Sequence, residues 1–434
     1  MGKDPQITAQ KELDKAELYY HSEQYKKAGK YFVSAGDQFF KLHEYKIARE
    51  CFSYAAKSFD FLNSYYLAME AMRNAGDSSL FINDFSDSNK FYKQALKFVP
   101  SLRRDNDYYY ILFSSLSFLC LFLEGKQDQG LTFLKEIRKN VDNNYFKESP
   151  LIALVKDLLI SIRDKNDQYL KKIEKEFEQY NLSEGEKNLL KIDLALAKVL
   201  NSLKTKLILD RDQYTTRDII NLTINLDTSP IIDVSKYSFY NYEFKKVTIS
   251  NIVTSFSDNI TAQKKPVLPL TLKPGEKCDF KFALKPHFQV KKPFIGPIVL
   301  TCEFNDNLIV YYEGPEKILP NIISPPPSLD ISMESLRPPL IGQTFPLEFL
   351  IENKSEGDAS EISINIKLPN QLKLIRGALK RQLYSLSSNE NITWEINLKP
   401  LEAADYIIEL EIEFKDPDGN KYEEIKKFPL AIKL

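Results

Sequence analysis

From Tyr25 to Gly76, large and small apolar residues recur at a fixed step of twenty positions, with polar residues filling the intervals. Tyr25, Tyr45 and Tyr65 stand in register, as do Ala28, Ala48 and Ala68, then Phe32, Phe52 and Met72, then Ala35, Ala55 and Ala75. A large residue, a small one three later and a large one four after that draw a single stripe along one helix face. The pattern predicts a helical hairpin repeat. Small residues let neighbouring helices approach closely and aromatics fill the gaps, so each helix buries its stripe only against the next.

The same periodicity predicts helices over 9–20, 24–40, 45–60 and 65–76, with turns at Lys41–Glu44 and Asp60–Ser64. A polar gap runs from Asp77 to Asn89, where Leu80, Phe81, Ile82 and Phe85 are expected to pack under a loop. Tyr92 and Ala95 then resume the stripe until Pro100 stops it. Further helices are predicted over 107–124, 127–140, 149–163, 166–180 and 184–202. Ser149-Pro150 reads as a cap with proline at the first helical position, and Ser183 with Glu186 as a capping box. Short connections between so many helices point to an antiparallel α-solenoid.

Near residue 204 the pattern changes. Only Pro5, Pro100 and Pro150 precede it out of 22 prolines, and alternation with period two follows. Ile220, Leu222, Ile224 and Leu226 face one way, with Asn221, Thr223 and Asn225 opposite, which marks a half-buried strand. Strands are predicted at 245–256, 266–272, 277–284, 297–304 and 307–313, with a turn at Lys273-Pro274-Gly275. Ile318 to Pro327 lacks periodicity and should sit extended as a stiff spacer. A second set follows at 328–333, 344–353, 360–368, 371–376, 390–398, 404–415 and 421–432, with alternation unbroken from Glu361 to Leu368 and a hairpin turn at Asp416-Pro417-Asp418-Gly419. Phe280 to Pro286 repeats the layout of Trp394 to Pro400, as expected of a duplicated module. The division is therefore a solenoid over 1–204, a first immunoglobulin-like β-sandwich over 205–318, a proline-rich linker over 319–327 and a second such sandwich over 328–434.

Charge and chemistry narrow the role. Lys and Arg total 59 against 60 for Asp and Glu, so the basic surplus of a nucleic-acid protein is missing. The longest uncharged run, Tyr108 to Leu123, contains three serines and falls short of the roughly 20 apolar residues of a membrane span, so it reads as a buried helix. The N-terminal sequence has no apolar signal core, and Cys51, Cys120, Cys278 and Cys302 are few and scattered, as expected in the reducing cytoplasm. His21, His43 and His287 have no partner at metal-ligand spacing, and no phosphate-binding glycine loop or nucleophile motif occurs. The expectation is a non-enzymatic chain with no cofactor and no metal. Tyr65, Tyr66, Tyr108, Tyr109 and Tyr110 crowd more rings than one buried face holds. They are the candidates for a tyrosine-lined groove taking a partner helix or an extended peptide.

The tetratricopeptide-type pattern in AGKYFVSAGDQFFKLHEYKIARECFSYAAKSF resembles the soluble NSF attachment proteins, the SNAP adaptors of membrane fusion. The stretch from Leu121 to Ala197 resembles the end of that solenoid, where a helix, a Phe-containing loop and two more helices occur in this order. The resemblance covers about residues 10–200. It implies an adaptor in vesicle trafficking or complex assembly, coiled-coil membrane-fusion proteins as partners and peripheral contact with a membrane. Two β domains follow where that family ends in a short acidic tail, so stimulation of an ATPase is not carried over. The β half is similar to adhesion-type immunoglobulin-like domains, in Glu352-Asn353, Ile362 to Leu368, Leu368-Pro369 and Leu398-Lys399-Pro400. That likeness implies the alternative, a surface or envelope adhesion protein.

Overall fold

The computed structural model describes residues 4–102, 104–288, 290, 292–314 and 316–433. Its helical half comprises α1 (Pro5–His21), α2 (Tyr25–Lys41), α3 (Tyr45–Asp60), α4 (Tyr65–Leu80), α5 (Phe85–Phe98), α6 (Asn106–Leu123), α7 (Gln127–Ile137), α8 (Asn143–Glu148), α9 (Pro150–Asp164), α10 (Asp167–Glu176) and α11 (Glu184–Ser202). Consecutive helices from α1 to α7 pack side by side. The stripe residues Ala28, Phe32, Ala48, Phe52, Ala55, Ala68 and Ala75 are buried. Each step of twenty is one helix with its turn, so two steps make a hairpin. Glu23, His43, Asn63 and Asn83 carry the same step in left-handed backbone, one just past each helix end.

The expected polar gap does not exist. Helix α4 runs on to Leu80 and α5 starts at Phe85, which extends the stripe to Phe85, Ser88, Tyr92 and Ala95. The polar residues there are satisfied within the helices. Ser78 Oγ donates to the Asn74 carbonyl at 2.8 Å, Ser79 Oγ to that of Ala75 at 3.1 Å, and Ser88 Oγ crosses to that of Gly76 at 3.0 Å. Leu80 and Phe85 are buried, and Phe81 stacks on Tyr45 with centroids 4.8 Å apart. Helix α1 starts four residues before its predicted position because Asp4 caps it, accepting from the Gln6 amide at 2.9 Å, with Pro5 first in the helix. The Phe-containing loop is the short helix α8, whose Asp142 cap accepts from the amides of Asn144 and Tyr145.

The β half contains β1 (Lys204–Leu209), β2 (Gln213–Thr215), β3 (Ile220–Asp227), β4 (Val247–Phe256), β5 (Ile260–Lys264), β6 (Leu270–Leu272), β7 (Lys277–Pro286), β8 (Ile295–Phe304), β9 (Leu308–Gly314) and β10 (Asn321–Ile323). Then come β11 (Leu329–Ser335), β12 (Phe345–Asn353), β13 (Ala359–Lys367), β14 (Leu372–Arg376), β15 (Lys380–Leu386), β16 (Asn391–Pro400), β17 (Asp405–Lys415) and β18 (Lys421–Ala431). The first module sets sheet β1-β3-β7-β5 against β6-β4-β8-β9, and the second sets β11-β12-β16-β14 against β15-β13-β17-β18. The two orders correspond strand for strand. Strands β7 and β16, the segments whose sequences echo each other, share one sequence of buried and exposed positions.

Several details depart from the sequence reading. The first module also holds β1, β2, β5 and a helix α12 (Ser229–Lys236), and the second holds the edge strand β15. The alternation from Glu361 holds, with Ile362, Ile364 and Ile366 buried in turn, and the strand enters it through a bulge between Ser360 and Ser363 where Glu361 takes left-handed backbone. The extended spacer is tied to both modules through its middle residues. Its residues Asn321–Ile323 form β10 alongside β2, and Ser324 donates to Asp418 through its amide at 2.8 Å and its hydroxyl at 2.9 Å.

One continuous cluster of buried side chains extends from the solenoid through the first β module, while the second module encloses its own. The junction is polar as well as apolar. Tyr312 donates to the Leu203 carbonyl at 3.0 Å, Tyr240 donates to Glu174 at 2.6 Å, and Phe177 meets Phe239 edge-on at 5.2 Å. No helix among the described residues is long and apolar enough to cross a membrane.

Candidate functional site

The turns joining α1 to α2 and α3 to α4 lie at one end of the stack, as the stacking of Tyr25 on Phe61 at 4.5 Å requires. At that end α4 opens with Tyr65, Tyr66 and Leu67, and α6 opens after Asp105, which takes left-handed backbone. Between them lies a cavity of about 680 Å³ lined by Tyr65, Tyr66, Leu67, Leu102, Arg104 and Tyr109 among others. Tyr65 is fixed by donating to Asn63 Oδ1 at 2.8 Å. Tyr66, 53% exposed, meets Tyr109 edge-on at 6.4 Å, and Leu67 beside it is 46% exposed.

The five candidate tyrosines therefore divide. Tyr65, Tyr66 and Tyr109 share this cavity. Tyr108 turns into a neighbouring one of about 320 Å³ with Ile111, Tyr145 and Tyr180. Tyr110 lines neither and packs against the core. Burial raises the phenol pKa of Tyr108, Tyr109 and Tyr110, in Tyr109 helped by the neighbouring Tyr66 hydroxyl and Glu70, so these three rings present neutral hydroxyls. Sequence reasoning passed over Leu67, Phe61 and Leu62. The signal was available, since all three are apolar positions outside the buried stripe.

Behind the cavity the rings continue inward. Tyr109 stacks on Phe113 at 6.0 Å, Phe113 on Tyr92 at 6.2 Å, and Tyr92 donates to Asp77 Oδ1 at 2.9 Å. Asp77 lies against Gly185 at the start of α11, where a Cβ would meet Asp77 at 3.2 Å. There Glu186, wholly buried, accepts a two-pronged hydrogen bond from Arg73 of α4, both contacts 2.7 Å. It also closes the expected capping box, accepting from the Ser183 amide at 2.8 Å. Burial and the Glu186 charge push the Asp77 carboxyl up, opposed by the Ser183 hydrogen bond, the Arg73 charge and the Tyr92 hydrogen bond. Helix α11 is thus clamped across α4 and α6.

A second groove lies between α1 and α3, with Glu17, Tyr20, Glu50 and Tyr54 around a volume of about 330 Å³ and Cys51 at its floor. Burial, then Glu50 and Glu17, push the Cys51 thiol up to about 12, which makes it a poor nucleophile and metal ligand. Two of the three histidines do structural work: His43 Nδ1 pairs with the Tyr45 hydroxyl and His287 Nε2 with that of Thr261, each at 2.7 Å. Among the described residues no group of three His, Cys, Asp or Glu side chains is arranged to hold a metal ion.

No protein-family model and no curated protein matches the sequence. Solved structures that resemble it include the ASH / PapD-like domain of human CEP192 (PapD-like domain 7), at 13% identity over 26% of this chain and 89% of that one. The TM-score of that match is 0.18, too low to bear on fold or role.

Proposed function

We propose that this chain is a non-enzymatic interaction adaptor that grips a protein partner at the turn end of its solenoid, around Tyr66, Leu67 and Tyr109. One observation supports the reading: Tyr66 and Leu67 stay exposed over a cavity next to exposed Phe61 and Leu62, while the repeat stripe beside them is buried. Contiguous apolar surface with a tyrosine anchor is the usual make-up of a protein contact. The partner it suits is an extended or helical segment carrying apolar side chains. The two β modules, read as immunoglobulin-like sandwiches, supply a second docking surface. The SNAP-like sequence pattern adds the narrower proposal of a role in membrane trafficking with coiled-coil membrane proteins as partners.

The test places a photo-crosslinking amino acid at Leu67 and, as a control, at exposed Lys11, in full-length protein expressed in its source cells. A partner crosslinked from Leu67 alone, and lost when Tyr66→Ala is added, supports the reading. Truncating an anchor tyrosine should cost about 2 kcal/mol, roughly thirtyfold in Kd. Equal crosslinking from both positions, or no effect of Tyr66→Ala, overturns it. A specific partner without coiled coil or membrane attachment would keep the adaptor and end the trafficking proposal.

A further inference from the structure

Where the solenoid meets the first β module, a cavity of about 590 Å³ opens between the ends of α6, α7 and α9 and the strands β8 and β9. Its walls are mainly apolar, with Phe122, Leu131 and Leu159 from the helices and Val299 from the sheet. Among these side chains stands one amine. Lys165 follows α9 in left-handed backbone at φ 51°, a conformation a residue with a Cβ adopts at a cost. This conformation turns its ammonium back over the Tyr312 ring, 3.8 Å from the centroid. Its hydrogen bond goes to the Leu200 carbonyl at 3.3 Å, and among the described residues no carboxylate lies at ion-pairing distance from it.

A half-buried cation with donors to spare and no counter-ion is an incomplete arrangement. Burial lowers its pKa to about 8, the charge of Glu313 on the opposite wall working the other way. Arg163, also at the rim, is engaged by Asp164. The Lys165 ammonium keeps donors for a carboxylate head, the charge of Glu313 across the cavity disfavours a dianion, and the walls offer an apolar chain a place out of water. We propose that this cavity binds a long-chain monocarboxylate, its head on Lys165 and its tail along Phe122, Leu131, Leu159 and Val299. Because both the solenoid and the sheet line it, the bound chain braces the junction between them.

The test is calorimetric titration of full-length protein with dodecanoate, dodecanol and dodecyl phosphate. Dodecanoate should bind tightest. Lys165→Met should weaken dodecanoate at least tenfold and leave dodecanol unchanged, and Leu131→Trp, which fills the cavity, should remove both while circular dichroism stays native. The wild-type protein alone gives a third readout. Carboxylate binding needs the ammonium, so dodecanoate affinity should fall roughly tenfold or more between pH 7 and pH 9.5, and dodecanol should not respond. Dodecanoate binding that ignores Lys165→Met, Leu131→Trp or pH overturns the proposal, as does tighter binding of the phosphate. None of these outcomes touches the turn-end surface, so the two proposals stand or fall separately.

Discussion

Replacing Arg73 by methionine should loosen the whole later half of the solenoid. The side chain is 16% exposed and spends two donors on a carboxylate that is itself fully buried, at 2.7 Å each. Methionine keeps much of the aliphatic length and removes the charge. Glu186 would then be an uncompensated buried anion near Asp77 and Glu70, whose carboxyl pKa values burial already raises. Breaking such a pair from one side costs about 3–5 kcal/mol. Removing both charges is far milder, because a well-packed apolar pair in the same space is often neutral. Glu186→Leu on top of Arg73→Met should therefore recover much of the loss, giving a coupling energy of about 2–3 kcal/mol. The assay is urea unfolding followed at the helical circular dichroism band, with hydrogen exchange reporting on α11. A second signature concerns pH. An orphaned Glu186 would have its pKa raised by burial, so the Arg73→Met penalty should shrink between pH 8 and pH 5 as the carboxyl takes a proton. A penalty under about 1 kcal/mol, or additive losses in the double variant, would refute the clamp; unchanged exchange in α11 would do so independently.

Asp193 of α11 is fully buried with no hydrogen-bond partner for either oxygen, and burial alone raises its pKa far above the usual carboxylate range. A raised folded-state pKa means stability present at low pH is lost as pH climbs, so Asp193→Asn should flatten that decline by up to about 1.4 kcal/mol per pH unit in denaturation series. Ala48 and Ala55 are fully buried on the stripe of α3, and leucine at either should cost roughly 1–3 kcal/mol in the same assay through overpacking; neutral behaviour at both would remove the stripe from the helix interface. A Cβ on Gly357 would meet the Pro325 carbonyl oxygen at 1.9 Å, so Gly357→Ala should detach the linker and speed its cleavage in limited proteolysis while leaving the second module's own melting intact. Because that module encloses a separate core whereas the solenoid shares one with the first, residues 326–434 should fold alone with a β spectrum, and residues 1–324 should unfold more cooperatively than 1–204.

The helices and the central strands were legible because each buries one face, which forces a period on the sequence. What was missed lacks that constraint. Strand β15 pairs only with β13 and leaves Tyr384 92% exposed, so its pattern reads as polar chain. The end of α4 looked like a gap because Asp77, Ser78 and Ser79 are buried yet polar, their hydroxyls and carboxylate served by backbone carbonyls and by Tyr92. Helix α12 carried a local signal, an Asp227 side chain accepting from the Ser229 amide at 2.9 Å just before Pro230, hidden in a region otherwise read as sheet. The tyrosine cluster was found as a composition of rings. Its division into two cavities and a core position depends on the geometry of α6, which a run of three tyrosines does not encode.

On the adaptor function proposed above, that division also bears on where a partner would find room. Helix α11 lies across α4 and α6 and is locked there by Arg73 and Glu186, so the helix face that a simple solenoid would offer to a visiting helix is filled by the chain itself. What remains apolar and open on these two helices is the end bearing Tyr66, Leu67 and Tyr109, next to Phe61 and Leu62. The ring of Tyr109 faces this surface and, through Phe113 and Tyr92, rests on the Asp77 that contacts α11. A side chain packed from behind in this way holds its rotamer before a partner arrives, which lowers the entropy lost on binding. The exposed ring of Tyr66, braced by Tyr109, is then where side-chain ordering on association should be concentrated.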